Sequence, residues 1–529
     1  MKQTPVRCFW LYSFVLIALT TIPYAIGFAA EGSDSVFTGF VFGVEDGNSY
    51  IAKMLLGATG DWLFRTPYST QPQPGVLAYL PYLLIGKLAA GPELHLQLVV
   101  LYHLFRVAMI PLAIWATYRF VNHFLDDPDS SAWATVIATI GSGLGWLPVL
   151  LNRGTLLGSL PLGFISPETF GFLAYLGLPH LVLARALLLT GLRWYLESDA
   201  DPGKGWHSGL AIAVTGLVQP LAMISAYAVI GFHQLIVLLR SGRDSLRRWR
   251  ERWLPGILRT LGISLPVFVY YALAFSSDPF LRAWTEQNRI LSPHPLHYLL
   301  AYGLLLPWVV VGVANAWALK KAHWLLPLGW VIIVPLLAYA PYNLQRRLPE
   351  GSWVALALLA SYGISKWAID QKIKTAVRWG VLVFSLMTPL LLVYGGIQVA
   401  RSGSMPAFRE QEQVMAFEWL LENGEKDAVV LTTYASGNAL PAWAPVHVVI
   451  GHGPESANLD LLRPQVERFF EGKMSEEEQS AFLAQQRVDY ILSGPDGSGS
   501  GQSGQHLLEG MQLVYKSNHY AIYRYTGEE

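Results

Sequence analysis

Residues 9–28 read FWLYSFVLIALTTIPYAIGF, twenty positions without a charge. A bilayer-spanning helix needs about 20 mainly apolar residues, so this stretch is long enough to cross. Lys2 and Arg7 precede it, and the small residues Ala29 and Ala30 follow, as they would after a signal peptide. An uncleaved anchor is the better reading, because the apolar run is longer than a usual signal core and further spans follow it. The whole 529-residue chain shares the bias: 53% of it is hydrophobic, 13% aromatic and 14% charged. An average soluble domain carries roughly 25% charged residues, so this chain cannot cover a soluble surface of its size.

The formal net charge of zero divides unevenly. Residues 1–400 hold 28 basic and 19 acidic residues, a net of +9, and residues 401–529 hold 9 and 18, a net of −9. The balance gives no support to a nucleic-acid partner. Cys8 is the only cysteine, which excludes internal disulfides and zinc-finger or iron–sulfur sites.

Apolar stretches like the first recur up to residue 400, and their connections fix the orientation. The densest basic connection runs from Arg240 to Arg259 with seven arginines; Lys320-Lys321 and the stretch Lys366, Lys372, Lys374, Arg378 are the others. With all three in the cytoplasm beside the N-terminus, one model fits, of about eleven spans. They lie at 9–29, 97–120, 132–150, 173–196, 208–219, 220–240, 255–275, 296–318, 323–341, 351–366 and 379–400, the fifth and sixth meeting at Gln219-Pro220. An odd number leaves the tail outside. The expected fold class is an α-helical polytopic membrane protein, residues 1–400, with a small soluble α/β domain, residues 401–529, on the extracytoplasmic side of the cytoplasmic membrane.

Two outer loops, 30–96 and 151–172, are too long to be mere connections, and long loops on a rigid scaffold are where a site is expected. The first holds a helix candidate after Asp46 and a Pro-punctuated apolar segment, Pro74–Leu88, that reads as interfacial or re-entrant. In the tail, 411–423, 459–470 and 475–486 read as helices, and 428–433, 447–451, 488–493, 513–516 and 520–525 as strands. The Gly/Ser run 494–504 reads as a flexible loop. No internal repeat is visible.

Asp46, in FGVEDGNSYIAKMLLGATGDW (residues 42–62), is the sharpest single candidate for chemistry. Its plain reading is an N-cap, and the two roles are compatible. Glu45 is its like-charged neighbour. Asp46, Tyr50, Gly60-Asp61-Trp62 and the apolar segment Gln73-Pro74-Gly75 to Gly86-Lys87 together resemble the first outer loop of GT-C glycosyltransferases. That superfamily includes protein O-mannosyltransferases and the aminoarabinose transferases of lipid A. The resemblance implies an inverting membrane glycosyltransferase that takes a sugar from a polyprenyl-phosphate donor, with the loop acid as catalytic base. Asp46 matches the Asp of the family's Asp-Glu pair; the following Glu is absent, and Gly47 stands there.

Such a transfer needs a carboxylate to deprotonate the acceptor hydroxyl as an oxocarbenium-like centre develops. The phosphate departs as an anion and calls for cations. Arg346 and Arg347, in AYAPYNLQRRLPE (residues 338–350), fall in an outer loop against the charge bias, so they are the candidate donor-phosphate clamp, with headgroup anchoring as the plain alternative. Glu168, in the second long loop, is the candidate acceptor or metal ligand, a role the resemblance suggests; Pro167-Glu168 is also an ordinary helix start. His180 and Arg185 follow at helical spacing in the next span, where polar groups usually face the bundle interior. Trp284, Glu286 and Asn288 in the loop 276–298 suit stacking on a sugar and holding its hydroxyls, though an interfacial aromatic belt explains Trp284 equally well. His103 and Arg106 share a face at the outer end of the second span and, with Tyr50, complete the possible substrate-binding set.

In the tail, Gly451-His452-Gly453-Pro454-Glu455-Ser456 reads as a strand-to-helix turn, or as an anion site built on backbone amides, with His452 and Glu455 placed to guide an acceptor. The expected partners are the bilayer, the polyprenyl-phosphate-linked sugar as co-substrate, and a glycan, lipid or protein acceptor. No cofactor is certain, and a divalent metal is an open option. The alternatives are a non-enzymatic lipid or glycan transporter or flippase, whose usual paired repeats are not visible, and a non-catalytic scaffold on the same fold.

Overall fold

The computed structural model describes residues 4–151, 154–240, 245–495 and 511–526. Residues 152–153 of the second long loop, 241–244 of the densest basic connection and most of the Gly/Ser run 494–504 lie outside the described residues. The chain divides into two compact units that interleave along the sequence. A helical unit takes Met1–Ile22, Phe105–Leu273 and Arg289–Gly395; a composite unit takes Pro23–Leu104, Ala274–Asn288 and Gly396–Glu529.

Every stretch read as a span contains helix, though not every one is a single helix long enough to cross. Among the described residues, five helices are long and apolar enough to cross a membrane: Arg7–Ala29, Leu94–Val121, Pro220–Arg240, Trp249–Ser277 and Gln371–Ser402. Exposed Phe14, Leu104, Trp115, Val310 and Tyr394 on the apolar helices suit contact with lipid rather than water. The break at Gln219 falls where expected, between Lys204–Val218 and Pro220–Arg240.

Three expected spans are interrupted. The stretch 296–318 is two helices, Leu296–Tyr302 and Leu306–Ala318, bent by 76°; Pro307 cannot donate to the preceding turn and its ring crowds the carbonyl four residues back. The stretch 173–196 is split at Leu178-Pro179 for the same reason. The stretch 132–150 breaks between Pro128–Ile140 and Trp146–Leu150, where Gly141-Ser-Gly-Leu-Gly145 gives the helix little support. The helical unit is centred on fully buried Trp330 and Trp353 with Leu188, Leu189, Leu192 and Leu326 around them.

In the composite unit, the long loop 30–96 and the tail share a short antiparallel ladder. β1 (Ser35–Phe37) pairs with β2 (Phe408–Glu410), Val36 opposite Arg409. The tail's other strands are β3 (Val429–Leu431), β4 (His447–Val448), β5 (Tyr490–Ser493), β6 (Met511–Lys516) and β7 (Ala521–Tyr525), in the order β4-β3-β5-β7-β6. β3 runs parallel to β4 and β5, while β7 is antiparallel to β5 and β6. Helices Gln411–Asn423, Leu459–Phe470 and Glu476–Gln486 accompany the sheet, the last begun by a capping box between Ser475 and Glu478. The expected α/β tail is therefore present, with β4 shorter than read from the sequence.

The helix Val44–Ala58 is the centre of the long loop 30–96. The short helix Leu80–Gly86, within the Pro74–Leu88 segment, lies against it. Their backbones touch because Gly57 and Gly86 lack side chains: a Cβ at Gly57 would strike the Leu83 carbonyl, and one at Gly86 the Met54 carbonyl. Trp62, Leu63, Leu84 and Leu88 stay exposed beside this pair, an apolar surface suited to a membrane interface.

Candidate active site

Asp46 is not the N-cap of its helix. Gly43, in the left-handed conformation, holds that position without a side-chain cap, so Asp46 sits in the first turn with its side chain 53% exposed. Negative charge is favourable there. Its partner comes from the tail: His452 Nε2 lies 3.1 Å from Asp46 Oδ1. On its other side, His452 Nδ1 is 3.2 Å from Glu455 Oε1. Glu455 Oε1 also accepts from Lys53 Nζ at 2.6 Å and Ser49 Oγ at 2.7 Å, while Oε2 accepts from Thr66 Oγ1 at 2.9 Å.

All but the end of this chain is buried: Lys53 is 0%, Glu455 3% and His452 4% exposed. A buried charge persists only when it is paired and hydrogen-bonded. Burial pushes the Glu455 carboxyl up, but Lys53 and His452 outweigh it and hold the group well below the usual carboxylate range. Burial pulls the His452 imidazole down, and its contacts with Asp46 and Glu455 reverse that and raise it to about 9. His452 at neutral pH is thus an imidazolium between two carboxylates. Lys53 is further enclosed by ring faces, with Nζ 4.3 Å from the centre of Tyr79 and 5.2 Å from that of Phe64.

The surroundings brace this arrangement. The Gly451 and His452 amides donate to Ser456 Oγ at 3.0 and 3.2 Å, which makes the motif a closed turn, the plainer of its two expected readings, and not an anion site. Gln287 Nε2 donates to the Ser456 carbonyl at 2.9 Å, and Asn288 Nδ2 to the Pro454 carbonyl at 2.8 Å. Asn288 therefore clamps the turn that carries His452. Tyr68 packs its ring 5.4 Å from His452, and Tyr434 donates to Glu45 Oε2 at 3.1 Å. Tyr50 stacks on Tyr82 at 4.8 Å. Trp284 packs with Phe64 and Phe275, and Glu286 is exposed on the helix Pro279–Gln287. His103 lies 2.9 Å from the Gly39 carbonyl, through Nε2.

The helical unit holds a second charged network. Arg347 Nε pairs with Glu168 Oε1 at 3.2 Å, Arg347 being 39% and Glu168 5% exposed at the side chain. Arg185 pairs with Glu350 Oε1 at 3.0 Å and donates to the Pro167 carbonyl at 2.7 Å and to that of Glu168. Burial pushes the Glu350 carboxyl up to about 8 in spite of Arg185. Among the described residues, Glu350 Oε2 and Arg346 Nε are buried without a hydrogen-bond partner. Burial lowers the Arg346 guanidinium, with Glu168 opposing the shift. Arg106 donates to Thr20 Oγ1 and Thr21 Oγ1, each at 3.1 Å, and joins helices together. His180 is buried at the start of the helix Pro179–Glu197. No group of three or more His, Cys, Asp or Glu side chains suited to a metal ion occurs among the described residues, and Glu168 has an arginine for its counter-charge.

Sequence reasoning named Asp46, His452 and Glu455 without joining them, and passed over Lys53, Ser49, Thr66 and Glu350. Lys53 carried a signal: it is a lone cation in the apolar run Ile51–Gly57.

As a whole structure, the chain is similar to the apo oligosaccharyltransferase of Archaeoglobus fulgidus, with a TM-score of 0.52 and 14% identity over 92% of this chain and 69% of that one. It is similar to oligosaccharyltransferase AglB of the same organism in complex with an inhibitory peptide and a dolichol-phosphate, with a TM-score of 0.52 and 13% identity over 92% and 70%. It is also similar to ArnT from Cupriavidus metallidurans bound to undecaprenyl phosphate, with a TM-score of 0.50 and 11% identity over 99% and 98%. No protein-family model matches the sequence, and no curated protein does. At such identities the likeness is one of fold. The chain is a multi-pass membrane protein with the GT-C fold.

Proposed function

We propose that this protein is a polyprenyl-phosphate-dependent glycosyltransferase with Asp46 as its general base. The observation that carries the reading is the exposed Asp46 carboxylate, held by a buried imidazolium in the first outer loop of a GT-C fold. Two solved relatives in fold are described with dolichol-phosphate and with undecaprenyl phosphate, which supports a lipid-phosphate donor.

Asp46 takes the proton from an acceptor hydroxyl as that oxygen bonds to the sugar's anomeric carbon. The bond from that carbon to the donor phosphate breaks, and the pair of electrons leaves on the phosphate oxygen. The configuration inverts, because the acceptor enters opposite the leaving group. Arg346 and Arg347 receive the lipid phosphate; Arg347 exchanges Glu168 for it, and Arg346 brings a buried donor without a hydrogen-bond partner among the described residues. Glu168 then serves as the resting counter-anion of the clamp. In the topology that the basic connections support, the N-terminus is cytoplasmic, and transfer takes place on the outer face of the cytoplasmic membrane.

The test is turnover in proteoliposomes. The purified chain is supplied with a panel of radiolabelled undecaprenyl-phosphate-linked sugars and with membrane lipid, glycan and peptide fractions as acceptors. Label should move from one donor into one acceptor class with release of undecaprenyl phosphate, and Asp46→Asn should stop it while leaving the fold intact. Undiminished transfer by Asp46→Asn would falsify the assignment.

A further inference from the structure

We propose that His452 is the positioning residue of the base: the tail contributes an imidazolium that orients the Asp46 carboxylate and that Glu455 and Lys53 hold in place. This rests on the reading of Asp46 above and goes beyond it, since it makes the active site a joint product of the first outer loop and the C-terminal domain.

The geometry favours the charged form of His452. A neutral imidazole carries one N–H, and here two carboxylates compete for it, Asp46 at Nε2 and Glu455 at Nδ1. Nε2 hydrogen-bonds Asp46, while Nδ1 stands 3.2 Å from Glu455 Oε1 as an ion-pair contact, so the doubly protonated ring is the form that both carboxylates stabilise. The groups facing it are Asp46 and Lys53 from the helix Val44–Ala58, Glu455 from its own turn, and Tyr68 across the ring. Glu45 and Tyr434 pair with each other close by. Glu455 cannot swing away, because Lys53, Ser49 and Thr66 all donate to it. The Asn288 and Gln287 side chains hold the turn from outside. Everything behind the ring is fixed and buried, so the orientation is passed to the one exposed member, Asp46.

The sign of the pH dependence follows. A raised imidazole pKa means that the bound proton stabilises the arrangement fully below the ordinary histidine value of about 6.5, and that this is lost as pH climbs through about 9. The bridge to Asp46 should come apart on that alkaline limb.

Two readouts on the full chain in lipid nanodiscs test this. The first needs no substrate: the histidine ring nitrogens are followed by NMR against pH, with His452 assigned by its absence in His452→Gln. The ring should stay doubly protonated to about pH 9, and its midpoint should fall by a unit or more in Asp46→Asn and in Glu455→Gln. A midpoint at or below the ordinary value, or one that Asp46→Asn leaves unmoved, overturns the proposal. The second uses whichever undecaprenyl-phosphate-linked sugar the wild type consumes. His452→Gln keeps one N–H toward Asp46 and should lower kcat about tenfold at unchanged donor KM, with the alkaline limb gone; His452→Ala should lose considerably more. A merely structural role would instead destabilise both variants alike and leave the pH profile in place, which also overturns the proposal. If Asp46→Asn itself turns over normally, the reading of the base fails and this inference falls with it. If Asp46→Asn is inactive while His452→Gln keeps kcat and its alkaline limb, only this inference fails.

Discussion

The network around Asp46 and the network around Glu168 have the same membership and opposite ends. Each joins two carboxyl groups to two cations, Asp46, His452, Glu455 and Lys53 in one, Glu168, Arg347, Arg185 and Glu350 in the other. In the first, the buried Glu455 carboxylate accepts at both oxygens, His452 Nδ1 faces it at ion-pair distance, and the exposed terminus is a carboxylate. In the second, the exposed terminus is Arg347, and a buried carboxylate oxygen of Glu350 has no hydrogen-bond partner among the described residues. One network offers an anion able to take a proton; the other offers a cation able to take a phosphate. A transfer to a hydroxyl with loss of a phosphate needs one of each.

The comparison breaks most sharply at the exposed ends. Asp46→Asn keeps the shape of the side chain and removes its basicity, and a positioned general base contributes about 10²- to 10⁴-fold. We expect a loss of that size in kcat from single-turnover sugar transfer, with donor binding retained. A drop confined to donor KM would instead place Asp46 among the phosphate-binding groups.

The buried carboxylates should differ next. Removing one partner of a buried ion pair costs about 3–5 kcal/mol, because the other charge is left uncompensated. Glu455→Gln leaves Lys53 in that position, so it should lower thermal stability by an amount of this order in a nanodisc unfolding series. Glu350 is pushed up to about 8, so at neutral pH it already carries its proton for most of the time, and Glu350→Gln replaces one neutral group by another. The stability contributed by that proton is lost as pH rises from the ordinary carboxyl range to about 8, and Glu350→Gln should remove this pH dependence while costing within about 1 kcal/mol at pH 7. Equal losses in the two variants would mean that the networks are not chemically distinct.

What could be read from the sequence follows the range of each force. The apolar stretches were legible because the bilayer sets a length for every spanning run, and among the described residues five of the eleven expected spans are single helices long and apolar enough to cross. Their interruptions at Pro307, Pro179 and Gly141–Gly145 are local chain effects that an average over about 20 residues blurs. Asp46 stood out because its setting is local. Its support did not: Lys53 and Glu455 are 402 residues apart, and such a pair leaves no periodic trace. The β1–β2 ladder was hidden likewise, three-residue strands being too short to show alternation. The motif around His452 was visible, but whether its amides faced an anion depended on Ser456, whose hydroxyl occupies them.

At the cationic end the expected effect is smaller. A charge-assisted hydrogen bond contributes about 1.5–3 kcal/mol, which is roughly 10- to 100-fold in affinity. Arg347→Ala should weaken binding of undecaprenyl phosphate by that factor, measured by titration into nanodiscs, with little change in thermal stability because the Arg347 side chain is 39% exposed. Glu168→Gln should act in the opposite direction and tighten binding, since it removes the anion with which the phosphate competes. If both variants weaken binding, Glu168 is not the resting counter-ion of the clamp.

The smallest effect separates support from contact. Asn288 was expected to hold a sugar, and its amide instead donates to the Pro454 carbonyl at 2.8 Å and to the Trp284 carbonyl at 2.7 Å. Both are neutral hydrogen bonds, each contributing about 1 kcal/mol. Asn288→Ala should therefore lower thermal stability by up to about 2 kcal/mol and loosen the turn carrying His452, leaving donor and acceptor KM where they were. Because the turn sets the imidazole against Asp46, whatever activity is lost should appear in kcat. A rise in acceptor KM with stability intact would return Asn288 to the substrate-binding set, and the Gly451–Ser456 turn would then need Gln287 alone to brace it from that side.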